Sequence, residues 1–436
     1  MLSSIRIRNF KCYRDSGVVP LAPLTVILGC NNVGKSALIQ PLLALKQTIS
    51  DPSWSVRFIT SGPLVDLGGF HDIIHGRDGS QMAPIVFDFV RDPREDVGIP
   101  ERLGKAVVGI HIEFSYSSNR DRVFIKSLSY NAQDGGKSFE FNERESGGAT
   151  VKFPQALRDA VTCRFKTFIP SMVPGERFVG SNMLRGDVDA TDQYLRGEFQ
   201  SQVWTRIFNE IEHVAPIRSR VPWYGQVGQR FSSEPGMAGE NLLRVLSKAG
   251  HDGGLTKGIN AWLLKNRSSI SRIRTKKIGQ NNQVRSLVAD DSGGHSGVNV
   301  AAMGEGVSQM LPILASVKGS LPGDTILIEQ PEIHLHPAAQ ATLGDLFIDA
   351  TKDASRQLIV ETHSEHLLLR IRRRIAEGGV NGIAPDNVSI LFVEHGEGET
   401  IVRRLEVDDR GHFNQWPKGF FDTAYQEALA LAKARK

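Results

Sequence analysis

The stretch Gly29-Cys30-Asn31-Asn32-Val33-Gly34-Lys35-Ser36 decides the fold of this 436-residue chain. It follows the apolar run Leu24 to Leu28 and opens a helical pattern, which is the context of a phosphate-binding P-loop. Glycines let successive backbone N–H groups turn inward around phosphate oxygens, and the start of the next helix adds positive field. The sequence therefore predicts a nucleoside triphosphate site. Its expected phosphate-binding residues are Gly29, Asn31, Asn32, Val33, Gly34, Lys35 and Ser36.

Composition places the chain among soluble globular proteins, with 40% hydrophobic and 23% charged residues. No run approaches about 18 apolar residues and the N-terminus alternates like a strand, so we expect a cytoplasmic protein with no membrane partner. The three cysteines, Cys12, Cys30 and Cys163, lack metal-ligand spacing, which argues against a zinc site and a disulfide framework. A net charge of +4 is too small to imply a polyanionic partner by itself.

The pattern changes twice along the chain. Three alternating stretches, Val107 to Tyr116, Arg122 to Tyr130 and Ser138 to Glu143, predict an antiparallel meander. Residues 155–285 are irregular and mainly helical, with Leu195 to Val214 and Leu242 to Leu264 as the better helices and no sustained heptads. After 285, helices alternate with buried strands, as in a parallel sheet covered on both faces.

Three further elements follow the P-loop in a fixed order. A glycine-rich helix start, Met303 to Gln309, precedes the buried strand Thr325 to Ile328, which ends in the acidic residue Glu329 like a Walker B element. A later strand ends in Glu361-Thr362-His363-Ser364. This order resembles the ATP-binding-cassette (ABC) ATPases, and within them the soluble branch that contains RecF, the SMC proteins and the OLD-family ATPases.

The resemblance is closest in the stretches Ile328 to Pro337 and Thr362 to Leu367, which are similar to prokaryotic OLD-like AAA ATPases with a C-terminal domain of unknown function. Trp416 to Asp422 resembles that domain. The similarity spans residues 1–85 and 295–425, and the middle of the chain matches only through Ala215-Pro216-Ile217-Arg218.

The resemblance implies an α/β fold: an ABC-type P-loop ATPase head with a mixed sheet, an antiparallel β meander and helices on both faces, interrupted by a mainly helical insertion. The expected parts are the N-terminal part of the head with the P-loop and β subdomain (1–154), the insertion (155–285), the C-terminal part of the head with signature, Walker B and histidine loop (286–383), and a C-terminal β-hairpin and helix (384–436).

Family roles carry over to matching positions. The implied cofactors are ATP and Mg²⁺, with Ser36 and Glu329 as metal ligands and His363 as the sensor of the γ-phosphate. His363 could alternatively be a core histidine. The family works as head-to-tail dimers, so Gly304, Glu305 and Gly306 would cap the nucleotide of the other copy in a homodimer or higher oligomer.

Two departures from the family pattern bear on mechanism. Gly304 stands where the signature helix usually supplies a serine, and Gln330 stands where a carboxylate usually follows the Walker B acid. An amide can orient water but accepts no proton at neutral pH, and loss of a general base typically costs about 10²- to 10⁴-fold in rate. We therefore expect slow turnover, with Glu332 or Glu361 as candidates to rescue catalysis.

Two functional hypotheses remain open. In the first, the ATP-driven dimer controls a separate protein effector, a nuclease or toxin, in bacterial antiviral defence, as the OLD-like resemblance implies. In the second, the chain is a RecF-like DNA-binding clamp in DNA repair or maintenance. The second uses the basic segment 265–285, which lies in a stretch without acidic residues, although a solvated loop explains that segment equally. A nuclease site within this chain is disfavoured, because too few residues follow Glu394.

Overall fold

In the computed structural model, residues 175–207 lie outside the described part of the chain, and so do several shorter segments. The described residues are 1–50, 58–77, 83–91, 107–118, 122–132, 137–143, 149–152, 161–164, 171–174, 208, 211–227, 234–266, 269–279, 283–291, 293–396, 398–416, 427, 430–431 and 433.

The elements are numbered here in chain order. The strands are β1 (Leu2–Phe10), β2 (Tyr13–Asp15), β3 (Val19–Pro20), β4 (Leu24–Gly29), β5 (Ile85–Arg91), β6 (Val107–Ser117), β7 (Arg122–Ala132), β8 (Lys137–Glu143), β9 (Ala149–Lys152), β10 (Val161–Arg164), β11 (Ser171–Pro174), β12 (Ile211–Val214), β13 (Gly225–Gln226), β14 (Ile270–Lys277), β15 (Val284–Asp291), β16 (Val298–Asn299), β17 (Thr325–Glu329), β18 (Gln357–Glu361), β19 (Val388–His395) and β20 (Thr400–Leu405). The α-helices are α1 (Lys35–Ser50), α2 (Phe70–Ile73), α3 (Leu242–Ala249), α4 (Gly254–Lys265), α5 (Glu305–Gly319), α6 (Pro337–Thr351) and α7 (Glu365–Glu377).

One compact unit, unit 1, consists of Met1–Leu21, Asn31–Ile211 and Glu394–Val402. Its main sheet has the order β2-β1-β5-β6-β7-β8-β9, with β3 paired to β1, and neighbouring strands run antiparallel. Strands β6 to β8 form the predicted meander. Aromatic rings fill the face of this sheet, and Phe87 packs edge-on against Phe10 and Phe114 with centroids 5.4 and 6.0 Å apart.

The second compact unit, unit 2, consists of Ala22–Cys30, Glu212–Val393 and Arg403–Lys436. Its six-stranded sheet has the order β12-β17-β18-β4-β19-β20, and the four central strands are parallel. All of β4 and the first four residues of β17 are buried, which explains their nearly continuous apolar sequences. Helices α5, α6 and α7 contribute to the same hydrophobic core. The predicted α/β fold with mixed sheets is confirmed, and strands from both ends of the chain share one sheet.

A smaller sheet of unit 2 has the order β13-β15-β14, with β16 also paired to β15. Within the basic segment 265–285, residues 270–277 and 284–285 lie on strands β14 and β15, where a solvated loop was one expectation. Arg274 in this sheet is neutralised by Asp290, with Nη1 2.7 Å from Oδ2. Hydrogen bonds from Ser296 and Arg274 hold the pKa of Asp290 at about 2.

Two helix predictions are corrected by the structure. The end of the helix predicted from Leu195 to Val214 is strand β12, because Ile211–Val214 pair with β17 at the edge of a six-stranded sheet. Residues 195–207 and 209–210 lie outside the described residues. The helix predicted from Leu242 to Leu264 is two helices, α3 and α4. It breaks at Gly250, whose φ of 70° ends α3.

The described residues of 155–285 form strands β10 to β14 and the start of β15 as well as helices α3 and α4. The rest of that predicted insertion lies outside the described residues.

None of the helices in the described part of the chain combines the length and the apolar character needed to cross a membrane.

Candidate functional site

The loop after β4 has the backbone of a phosphate nest. Gly29, Asn32 and Gly34 have φ values of 149°, 61° and 102°, which are left-handed conformations that favour glycine and asparagine. At Gly34 an added Cβ would lie 2.2 Å from Sγ of Cys12, so no other residue fits without displacing the chain. Alternating left-handed residues turn backbone N–H groups toward one side, which is the arrangement that binds anions.

Tyr13 supports this loop from within unit 1. Its side chain is fully buried, and its hydroxyl donates a hydrogen bond of 3.0 Å to the carbonyl oxygen of Gly34. The first helical turn follows at once, since Ala37 N–H donates to the same carbonyl at 3.1 Å. Lys35, the first residue of α1, is only 4% exposed. A lysine at this position of a glycine-rich loop that opens a helix fits a polyphosphate ligand, because its positive charge can neutralise the β and γ phosphates.

Three strand ends meet at one edge of the unit 2 sheet. Glu329 at the end of β17 is in register with Glu361 at the end of β18, and Glu361 pairs with Ile27 of β4, two residues before Gly29. The carboxyl ends of parallel strands are where open α/β sheets bind ligands. The Walker B acid, the histidine-loop strand and the strand that leads into the P-loop therefore share an edge.

His213 of β12 holds the Walker B carboxylate. Its Nε2–H donates to Oε1 of Glu329 at 2.7 Å, and both side chains are largely buried. Within the described residues Oε2 of Glu329 makes no hydrogen bond, so one oxygen is free to face a cation. In the same described part of the chain, no group of three or more His, Cys, Asp or Glu side chains could hold a metal ion. Mg²⁺ is commonly held by one or two carboxylates plus phosphates and water, which fits a single carboxylate oxygen.

The residues after Glu329 are fixed by hydrogen bonds. Gln330 has a left-handed φ of 44°, and its N–H donates to the carbonyl of Glu361 at 2.7 Å. Both carboxylate oxygens of Glu332 are engaged: Oε1 accepts from His363 N–H at 2.6 Å and Oε2 from Thr362 Oγ1–H at 2.7 Å. Glu332 therefore fixes the backbone of the histidine loop in this state.

The start of helix α5 packs against the loop that follows Gln330. An added Cβ on Gly306 would lie 2.8 Å from the carbonyl oxygen of His334, so this approach requires glycine. Glu305 is bonded by Arg220, with Nε 2.6 Å from Oε1, and this bond lowers the pKa of the Glu305 carboxyl. Gly304 is exposed at the N-cap position, with φ −61° and no side-chain cap.

The predicted site residues fall in both units. Unit 2 holds two groups: the strand-end residues Gly29, Glu329, Gln330, Glu332 and His363, and the helix-start residues Gly304, Glu305 and Gly306. The loop residues Asn31, Asn32, Val33, Gly34, Lys35 and Ser36 belong to unit 1.

Sequence reasoning did not assign a role to His213 or Arg218. Arg218 donates to the backbone carbonyls of Glu329 and Gln330 at 3.1 and 2.9 Å. The signal that could have found Arg218 is the Ala215-Pro216-Ile217-Arg218 corner, because this is where the middle of the chain matches the family resemblance. No comparable signal marks His213, which lies inside β12.

Three family models match separate parts of the chain. They are described as "AAA ATPase domain" over residues 1–165, "AAA domain, putative AbiEii toxin, Type IV TA system" over 227–370, and "Protein of unknown function (DUF3696)" over 383–431. A curated relative from Helicobacter pylori, named ATP/GTP phosphatase, is 22% identical over 372 residues, which are 84% of this chain and 86% of the relative.

The chain also resembles solved SMC head structures. A structure of the SMC head bound to the C-winged helix domain of ScpA matches with a TM-score of 0.48 and 13% identity, covering 93% of this chain and 98% of that one. The SMC head domain from Thermotoga maritima matches with a TM-score of 0.40 and 11% identity, covering 93% and 99%. From the P-loop, the shared sheet edge and the two AAA matches, we conclude that the chain contains AAA-type ATPase domains and is an ATPase.

Proposed function

We propose that this chain is a slowly hydrolysing, ABC/OLD-like ATPase whose ATP-bound form dimerises head-to-tail and controls a protein effector in bacterial antiviral defence. The proposed slow rate rests on which groups after Glu329 could accept a proton from the attacking water. Gln330 is an amide, and both oxygens of Glu332 accept hydrogen bonds from the histidine loop. Position 330 therefore carries no carboxylate, and the Glu332 carboxylate is held by the histidine loop, so neither residue presents a base that is positioned on the water alone.

Hydrolysis transfers the γ-phosphoryl group of ATP to water. The water oxygen forms a bond to the γ phosphorus, the bond from that phosphorus to the β–γ bridging oxygen breaks, and the water loses a proton. Bound Mg²⁺ would neutralise charge on the phosphates. Lys35 and the loop N–H groups would hold the phosphates, Ser36 and Glu329 would ligate the metal, and the Gln330 amide would orient the water. Without a positioned base, proton loss to solvent limits the rate.

The proposed dimer interface contains the exposed start of α5. Gly304 leaves its N-terminal N–H groups uncovered, and helix N-termini favour phosphate. Light scattering after size exclusion should show dimers with ATP and Mg²⁺ and monomers with ADP. Gly304→Asp should bind ATP and stay monomeric, because its carboxylate repels the phosphate of the other copy. A wild-type protein that binds ATP and remains monomeric would overturn the dimer.

The proposed effector is a nuclease or toxin. The description of the family matched over 227–370 mentions a toxin of a type IV toxin–antitoxin system, which agrees with a role in conflict between bacteria and their parasites. The test is phage plating on a host that carries the gene with its neighbours, compared with the same genes encoding Lys35→Ala. Equal plating efficiency would remove the defence role and leave the ATPase intact.

A second candidate function, DNA binding, is favoured by the β13-β15-β14 sheet. Lys277 lies directly opposite Arg285 in the register, and like charges in this position repel each other. Neither forms an ion pair with any residue that the structure describes. Trp223 and Tyr224, which precede β13, are 59% and 67% exposed and offer stacking surfaces for bases.

Salt dependence tests this second candidate. The affinity for an oligo-dT strand should fall with rising salt, and the double variant Lys277→Ala/Arg285→Ala should lower the slope of log K against log salt by about 1.4, two phosphate contacts at about 0.7 each. Arg244→Ala, which changes an exposed arginine on α3, is the matched control. Binding with no salt dependence, or none at all, would reject the clamp.

A further inference from the structure

Arg218 is a buried cation that touches three separate parts of unit 2. It is 3% exposed, and its guanidinium group donates four hydrogen bonds to backbone carbonyls. Nε donates to Ala215 at 3.0 Å, Nη1 to Gln309 of helix α5 at 3.1 Å, and Nη2 to Glu329 and Gln330 at 3.1 and 2.9 Å. One rigid side chain thus joins the end of β12, the second turn of α5 and the end of β17.

Arg218 and Gln309 of helix α5 donate hydrogen bonds to each other's backbone carbonyls. The Gln309 side chain is buried, and its Nε2–H donates to the backbone carbonyl of Arg218 at 2.8 Å. Its Oε1 has no hydrogen-bond partner in the described part of the chain. The side chain of Gln309 is therefore dedicated to Arg218, and the two residues hold helix α5 by a reciprocal pair of bonds.

A contribution to the stability of the fold does not by itself explain why the Arg218 cation is buried here. Burial lowers the pKa of Arg218 to about 10, with Glu332 acting in the opposite direction, so the group remains charged at neutral pH. No described carboxylate lies within ion-pair distance of it. Burying a cation is costly, and apolar residues of similar volume are often as stable or more so. Four charge-assisted bonds to carbonyls offset the cost only while all four acceptors keep their positions.

We propose that Arg218 is a positioning residue for ATP hydrolysis, which fixes the separation between the signature helix α5 and the Walker B end of β17. The planar guanidinium group holds the Gln309 carbonyl at one nitrogen and the Glu329 and Gln330 carbonyls at another, so a shift of either segment breaks bonds to the other. The role applies to the ATPase activity and requires neither the dimer nor the effector.

Steady-state kinetics of Arg218→Lys and Arg218→Met test the proposal. Lysine keeps the charge, but its three N–H donors sit on one nitrogen and cannot reach the four carbonyl groups that the planar guanidinium group holds. Methionine keeps the bulk alone. Both should lower kcat by about 10- to 100-fold, the usual cost of losing a residue that orients a ligand. The ATP dissociation constant should stay near the wild-type value, because the P-loop is unchanged. Arg244→Ala is the control and should match wild type in both measurements.

Hydrogen–deuterium exchange supplies a readout that does not depend on turnover. In Arg218→Lys, exchange should rise together in peptides covering 305–315 and 325–335, while the peptide covering 357–361 stays protected. Should both Arg218 variants fail to fold, Gln309→Met removes only the side-chain donor, and it should raise exchange in the same two peptides and lower kcat by a smaller factor.

The outcomes separate this proposal from the proposed function. Wild-type kcat with unchanged exchange in the folded variants would overturn the role of Arg218. Equal losses of kcat and ATP affinity would also overturn it, because they indicate a general structural defect. An inactive wild-type protein would refute the ATPase, and the exchange experiment would still decide whether Arg218 couples α5 to β17.

Discussion

Replacing Gln330 by glutamate is the most direct test of the proposed slow turnover. The Gln330 backbone is anchored at both ends, because its N–H donates to Glu361 and its carbonyl accepts from Arg218. The substitution changes one NH₂ group to an oxygen and leaves shape and backbone bonds in place. It therefore adds a proton acceptor where ABC-type ATPases usually carry one.

The expected gain follows from the chemistry of the missing group. A positioned general base contributes about 10²- to 10⁴-fold, which is about 2.7 to 5.4 kcal/mol of barrier at 1.36 kcal/mol per tenfold. We expect the lower end, about 10²-fold, since the new carboxylate adjoins Glu329 and their like charges oppose each other. The gain should be in kcat, with little change in the ATP dissociation constant.

Phosphate release under saturating ATP and Mg²⁺ measures the effect. Gln226→Glu makes the same chemical change at an exposed position of β13 and should leave kcat unaltered. Unchanged turnover in Gln330→Glu would show that no proton acceptor is needed at this position. A wild-type turnover of about tens per second, which lies in the ordinary enzyme range, would refute the slow switch itself.

Glu332 provides the complementary comparison. If it acts only by fixing the histidine loop, then Glu332→Gln and Thr362→Val should lower kcat by similar factors, because each disturbs the bonding of Glu332 to this loop: Thr362→Val removes the hydroxyl bond, and Glu332→Gln replaces one of the two accepting oxygens. If it is the base, Glu332→Gln should be far more damaging and should flatten the acidic limb of the pH–rate profile. A large excess loss in Glu332→Gln would refute the positioning role that we expect.

Three smaller predictions concern stability. Hydrogen bonds to Asp88 and a second carboxylate raise the pKa of His111 to about 9 from 6.5, so this stabilisation is complete below pH 6.5 and is lost as pH rises through 9. Its upper limit is about 3 kcal/mol. Urea unfolding should show the decline in wild type and little of it in His111→Gln, and parallel curves would contradict the assignment. Tyr13→Phe should cost about 1 kcal/mol and weaken ATP binding by releasing the carbonyl of Gly34, as thermal melts with and without ATP would show. Gly304→Ser should gain a few tenths of a kcal/mol in urea unfolding, since its φ is −61° and nothing lies within 4 Å of the added Cβ; a loss would indicate a clash.

The central sheet was predictable because its strands are buried on both faces. Leu24 to Leu28 and Thr325 to Ile328 read as apolar runs bounded by glycine or acid, and their shortness favours buried strands over helices. The failure at Ile211 to Val214 has the opposite cause. Those four residues lie beside other apolar positions that also suit a helix, so only pairing in the sheet, a tertiary effect, decides their conformation.

Parts of the candidate site could be predicted because phosphate chemistry demands particular residue types at fixed spacing. A P-loop needs glycines and a lysine in sequence, and these are visible without coordinates. The supports cannot be found in this way. Arg218 acts on backbone carbonyls, which every residue possesses, and His213 meets Glu329 across more than one hundred positions of sequence. Neither contact leaves a pattern in the residues that it holds.

The three acids near this sheet edge look interchangeable in sequence, and the structure separates them. Glu329 gives one oxygen to His213 and keeps one for a metal, Glu332 gives both to the histidine loop, and Glu361 is almost completely buried. The Glu329 carboxylate thus keeps an oxygen that can face Mg²⁺, whereas the Glu332 carboxylate is used to hold the histidine loop. Under the proposed function, this arrangement predicts slow hydrolysis as long as the histidine loop keeps its bonds to Glu332. A shift of the histidine loop would break the bonds from Thr362 and His363 and free the Glu332 carboxylate, so the proposed slow turnover predicts that displacing this loop accelerates hydrolysis.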